Sequence, residues 1–196
     1  MRVLQILALV LFTTSCHKGP MSSGELLDYV MDPENKLDYT VNTHGTSMEV
    51  YYKPSSIIID QQIQGERDTT VVNDVRRSLD RFDYFIFRLE RNGMGLENNF
   101  AGNPMKFTEV INYLSDRMSV DIQLICGADT IAVSDIAFSQ SFGLSRKTDV
   151  MLAFDSQLKN RKGSARLVFS DTEFGTGRHE FYFDTDDVRK IPPLRH

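Results

Sequence analysis

Residues 120–133 read Val120-Asp-Ile-Gln-Leu-Ile-Cys-Gly-Ala-Asp-Thr-Ile-Ala-Val133. Ile122, Leu124 and Cys126 alternate with Asp121, Gln123 and Ile125. That is the two-residue period of a strand with one face turned inward. Gly127-Ala-Asp129 breaks the run, and Thr130–Val133 resumes it. The same grammar continues downstream in Ile136–Phe138, Val150–Phe154, Ala165–Phe169 and Glu180–Phe183, with Gly143, Lys159–Gly163 and Gly175-Thr-Gly177 as punctuation. Short apolar strands between turn signals, without a βαβ rhythm or an internal repeat, predict a chain built mainly of antiparallel sheet.

Working back towards the N-terminus, the period changes. Leu26, Tyr29 and Val30 share one helical face, with Ser22 or Ser23 available as cap and Pro33 as stop. Leu37, Tyr39 and Val41 alternate, as do Met48, Val50 and Tyr52, so a hairpin is expected with its turn at Thr43–Thr46. After Pro54, the run Ser55–Asp60 suits a helical turn or a strand. Val71, Val72, Val75, Leu79 and Phe82 predict a polar helix over 68–82, and Asp83–Glu90 returns to strand. Arg91–Gly95 reads as a turn and Asn98–Pro104 as a loop, while Phe107, Val110, Ile111 and Leu114 predict a helix over 106–117. The expected fold class is therefore mainly β (α+β). Residues 24–196 should form a single domain, an antiparallel β-sandwich or barrel-like framework with two or three short helical inserts.

The chain has 196 residues, two cysteines and a formal net charge of −5. Met1-Arg2, the apolar run Val3–Phe12 and Thr13-Thr14-Ser15-Cys16 have the three parts of an export signal over residues 1–15. The apolar run is too short to span a bilayer, which needs roughly 20 residues. Thr14-Ser15-Cys16 resembles the lipobox of bacterial lipoproteins, although Thr13 stands where Leu is usual. This resemblance makes Cys16 the expected lipidation site, with residues 16–23 as lipidated cysteine and tether. His17 rather than Asp follows the cysteine, which by sorting resemblance implies the outer membrane of the cell envelope. Cys126 would then lack a partner and is expected as a small buried hydrophobe. Removing the signal leaves 181 residues with a charge of about −6, since Arg2 goes and no acid does. An acidic chain without a Lys/Arg block has no footprint for nucleic acid.

A wider resemblance rests on Leu26-Leu-Asp-Tyr-Val-Met-Asp-Pro-Glu-Asn-Lys-Leu37, the strand end Tyr51-Tyr-Lys-Pro54, Phe87–Glu90, Asp129–Leu144 and Val150–Asp155. Together these are similar to a group of uncharacterised secreted bacterial lipoproteins. The resemblance spans about residues 23 to 155. Lys36 departs from the Gly expected after Pro-Glu-Asn, which bears on the geometry of that turn. Lipoprotein character is what the resemblance implies; it brings no activity, cofactor or substrate.

Chemical motifs are sparse. His17, His44, His179 and His196 are scattered, no HExxH or Cys pair occurs, and no metal or cofactor is expected. Asp184-Thr-Asp-Asp187 supplies three acids, few for calcium, and reads better as the start of a helical turn. There is no GxSxG elbow, and a Cys126–His179 dyad has no support in spacing. The leading expectation is an envelope-anchored, non-catalytic binding or assembly module, attached to membrane by lipid, with another envelope protein or a glycan as partner. An envelope hydrolase with a carboxylate or Ser/His site and a structural subunit of an envelope complex are the alternatives. The stretch 91–103, with Asn98, Asn99 and Phe100, combines adaptable hydrogen bonding with an aromatic ring, and is the expected contact loop.

Overall fold

The computed structural model describes residues 19–140 and 144–195. The expected export signal, Cys16, His17, Gly143 and His196 lie outside the described residues. In chain order the elements are α1 (Ser23–Met31), β1 (Asp38–Thr43), β2 (Thr46–Lys53), α2 (Ser55–Ile63), α3 (Thr69–Leu79), β3 (Asp83–Arg91), β4 (Met94–Gly95), α4 (Pro104–Ser115), β5 (Ile122–Cys126), β6 (Asp129–Ala132), β7 (Asp135–Phe138), β8 (Thr148–Phe154), β9 (Ser164–Ser170), β10 (Arg178–Asp184) and α5 (Thr185–Arg189).

The strands form two antiparallel sheets. The larger has the order β1-β2-β3-β8-β7, with β4 also paired to β3, and the smaller has the order β10-β9-β5-β6. The α+β class and the sandwich form agree with the sequence. The helical share is larger than the two or three inserts expected, since five α-helices lie among the described residues. The sheets are not joined edge to edge, so the framework is a sandwich and not a barrel.

One apolar core lies between the sheets. Met48, Val50, Tyr52, Phe85, Phe87, Leu89, Val150, Leu152 and Phe154 come from the larger sheet; Ile122, Leu124, Ala165, Leu167, Phe169, Phe181 and Phe183 come from the smaller. Phe87 meets Phe169 and Phe181 edge-on, with ring centroids 4.9 and 6.0 Å apart, and Phe85 meets Phe183 at 4.9 Å. Such edge contacts add roughly 0.5–1.5 kcal/mol each beyond area burial. Cys126 shares the inner face with Ile122 and Leu124 and is buried, and burial pushes its thiol pKa up.

Local chemistry explains the joints. Ser22 caps α1 reciprocally with Glu25, and Asp68 and Asp184 cap α3 and α5. The last of these is the role found for the acidic run at 184–187. Of the three two-residue hairpin loops among the described residues, Gly127-Ala128 has positive φ at its first residue only, and His44-Gly45 and Asn92-Gly93 have it at each central residue. The latter pattern is the type I′ turn whose twist matches the strands. The chain passes from the smaller to the larger sheet between β6 and β7, and back between β8 and β9. The second passage, with the 3-10 turn Leu158–Asn160, borders the candidate site.

The sandwich has two dissimilar poles. α1 docks on α2 through Leu26 and Ile57, which cluster with Leu194, and Ser23 Oγ donates to Asp60 Oδ2 at 2.9 Å. α3 packs on α2, and α5 follows β10 at the same end. The tether reaches the body here, where Met21 pairs with Leu194. The opposite pole carries the His44-Gly45 and Asn92-Gly93 loops and α4.

Candidate functional site

At the helical pole, the end of α3, the start of α2 and the turn after β8 surround a hollow of about 470 Å³. Arg76, Arg77, Arg81 and Lys159 line it, with Ser55, Asn160 and Gln157 beside them and Asp80 and Asp83 as its two carboxylates. The helix places two of the cations in its last turn, where positive charge complements the carbonyl end of the dipole. Arg77 reaches Asp74 at 3.4 Å across exposed surface. Arg81 lies over the Phe82 ring at 4.4 Å. Arg76, Arg81 and Lys159 make no ion pair with an acid among the described residues.

The carboxylates of the hollow are committed. Asp83 is 4% exposed; Tyr52 Oη donates to its Oδ1 at 2.8 Å, and Ser156 Oγ and the Leu158 amide donate to its Oδ2 at 2.6 and 2.7 Å. This carboxylate ties β2, β3 and the turn after β8 together, and burial beside it pushes the Tyr52 hydroxyl pKa well up. Asp80 Oδ1 accepts from Ser55 Oγ at 2.7 Å. The hollow therefore presents uncommitted cations above acids already held by uncharged donors.

Elsewhere several cations are paired. On the outer face of the larger sheet, Arg88 grips Asp149 with Nε at 2.7 Å and Nη2 at 2.9 Å, and reaches Glu49 at 3.3 Å. Lys147 Nζ meets Glu49 at 2.9 Å. A shallow depression of about 290 Å³ beside them, lined by Tyr51, Ile86, Phe138 and Met151, is mostly apolar. Near α4, Lys106 is bound to Glu173 at 2.5 Å and Glu109 at 3.2 Å, with Arg117 3.7 Å from Glu173.

The residues singled out by sequence fall as follows. Asn99 Nδ2 donates to the carbonyls of Arg91 and Gly95 at 3.0 and 3.1 Å, and its Oδ1 accepts from Asn92 Nδ2 at 3.1 Å. Phe100 is half-buried against the core, 6.4 Å from the Phe174 ring. Asn98 is half-buried in the same 3-10 turn, Glu97–Phe100. These groups largely hold the β3–β4 turn in place. Glu97 beside them is fully buried, with Oε2 accepting from Thr148 Oγ1, and is sealed from any solute. Cys126 aligns with Ala165 and His179 with Phe169, four residues further along β9, so thiol and imidazole belong to rows about 13 Å apart. His44 bonds Thr43 and His179 bonds the Thr176 carbonyl. Among the described residues no three His, Cys, Asp or Glu converge as a metal site. The basic hollow itself was not among the expected sites. Its one sequence signal is the Arg76-Arg77…Arg81 spacing, and Lys159 joins only through the fold.

No family model matches the chain, and no curated protein matches it. A solved structure of a protein of unknown function from Burkholderia pseudomallei K96243 is similar at 10% identity, covering 88% of this chain and 94% of that one with a TM-score of 0.36.

Proposed function

We propose that this protein is a lipid-anchored envelope lipoprotein whose sandwich is a non-catalytic binding module, with the hollow at the helical pole as its recognition site. The observation that carries the reading is the division of labour there. Arg76, Arg81 and Lys159 are left without acid partners, while Asp83 is held by three donors. A carboxylate so occupied is poorly placed to take a substrate proton or attack a carbon. Free guanidinium forks and an ammonium suit binding. The anchor rests on Cys16 and its small-residue junction, with the outer membrane as proposed address. The large exposed apolar side chains Leu27, Val71, Met94, Met105, Val120, Leu144 and Tyr182 lie on seven different segments, which favours a solute-binding module over a permanently buried subunit.

Anchoring is tested by fractionating cells that express Cys16→Ser. The variant should leave the membrane fraction and lose its lipid label; retention on the membrane after a high-salt wash would overturn the lipoprotein reading. Binding without turnover is tested on phosphate-ester, glycan and peptide panels. Product formation abolished by Asp83→Asn would make the hollow an active site instead.

A further inference from the structure

Resting on that reading of the hollow as a binding site, we infer that its ligand carries a phosphate group. Three features select this chemistry. First, the lining is net positive: Arg76, Arg81 and Lys159 have no acid partner among the described residues and Arg77 also reaches Asp74, against the two carboxylates Asp80 and Asp83, which suits an anion such as a phosphate monoester. The acids accept bonds from Ser55, Tyr52, Ser156 and the Leu158 amide, and neither forms an ion pair with a cation of the hollow. Second, the donors are of the type phosphate uses. Guanidinium groups bind its oxygens in pairs, Lys159 adds a point charge, and Asn160 and Ser55 bring neutral donors at the rim. Third, Lys106, in the hollow by α4, is bound to Glu173 and Glu109, and Arg88, on the outer sheet face, to Asp149 and Glu49. In a chain of net charge −5, this concentration of unpaired cations at one hollow is local design, not bulk composition.

The phosphate can come from two sources. Met21 lies five positions after Cys16, a contour of at most about 18 Å. Met21 joins the pole where α1 rests on α2, and the first residue of α2 is Ser55 at the hollow. A lipid-borne Cys16 would hold this pole near the bilayer surface, within reach of phospholipid headgroups. A soluble phosphate ester in the surrounding compartment offers the same group.

The test uses the unacylated chain of residues 16–196, which keeps every described element. Inorganic phosphate is titrated calorimetrically against chloride at matched ionic strength. Sedimentation with phosphatidylglycerol vesicles is compared with phosphatidylcholine vesicles. Both are repeated on Arg76→Gln/Arg81→Gln/Lys159→Gln and on the single reversal Lys159→Glu, with circular dichroism as the check on folding. Phosphate binding that weakens roughly ten- to hundredfold in the triple variant supports a soluble ligand. Binding confined to phosphatidylglycerol vesicles, and lost in both variants, supports a headgroup. Failure of wild type to prefer either anionic probe, or undiminished binding by both variants, overturns the inference. That failure leaves the anchor and the non-catalytic reading standing, because these rest on Cys16→Ser fractionation and on the Asp83→Asn panel.

Discussion

Lys36 closes the turn after α1 with φ 54° and ψ 38°, its amide donating to the Pro33 carbonyl at 3.3 Å. A side chain in this left-handed region costs about 1–2 kcal/mol, which is why Gly was expected there. Lys36→Gly should stabilise the protein by about 0.5–1 kcal/mol, since glycine's extra chain entropy offsets part of the relief. Chemical denaturation would show this as a higher midpoint at an unchanged slope; a lower midpoint would mean that the lysine side chain contributes something the turn geometry does not reveal. Asp38, one position beyond Leu37, is a second costly residue. Burial, and then the charge of Glu49, push its carboxyl from 3.8 up to about 6, with Arg88 and Lys147 opposing, and its Oδ1 has no hydrogen-bond partner among the described residues. The folded chain thus holds a proton between about pH 4 and 6 that the unfolded chain releases, so stability falls as pH rises through that window. Asp38→Asn should therefore be the more stable protein at pH 7.5, with the advantage shrinking towards pH 4. An advantage independent of pH would assign the effect to something other than this titration.

Among the elements, α3 stands apart. None of its residues is buried, and Val72, Val75 and Leu79 are only half-covered. β3, by contrast, buries Phe85, Phe87 and Leu89 between two strand neighbours. Elements with few buried apolar contacts open at low free energy. Hydrogen exchange should accordingly release peptides covering 69–79 well before those of β3, β5 or β9. Protection of α3 equal to that of β3 would contradict this. The helix that carries two of the four cations of the hollow, with a third two residues beyond its end, is the one whose docking a bound anion would strengthen most. α2 shows the opposite balance: Ser55, Ile57 and Ile59 are buried, although its three isoleucines suited a strand as well as a helix. Its place against α1, through Leu26, decides in favour of the helix.

At the scale of the whole molecule, the core runs unbroken from one sheet to the other, and Phe87 sits at its middle against Phe169 and Phe181. Phe87→Ala should cost about 3–5 kcal/mol through lost transfer energy and the cavity left behind. Because both sheets share this core, the thermal transition should move down as one step. A split into two transitions would show that the sheets unfold separately. The asymmetry of the poles places Met21, four helices and the unpaired cations together, and the His44-Gly45 and Asn92-Gly93 hairpin loops at the far end.

The sequence by itself determined the strand periodicity, the turns at Thr43–Thr46 and Arg91–Gly95, the caps of α1 and α5, and the inward face of Cys126, because each follows from side-chain alternation or from a hydrogen bond a few residues away. The proposed export signal and Cys16 anchor rest on a local pattern of the same kind. Tertiary structure alone decided which strands share a sheet, that the sheets stay open, that Asn99 holds the β3–β4 turn and that Phe100 packs on the core. It also decided that Lys159 meets Arg76 and Arg81. Those outcomes depend on packing between residues as much as 83 positions apart, as Lys159 is from Arg76. Neither the burial that exposes an unpaired charge nor the three donors that occupy Asp83 leave any periodic trace along the chain.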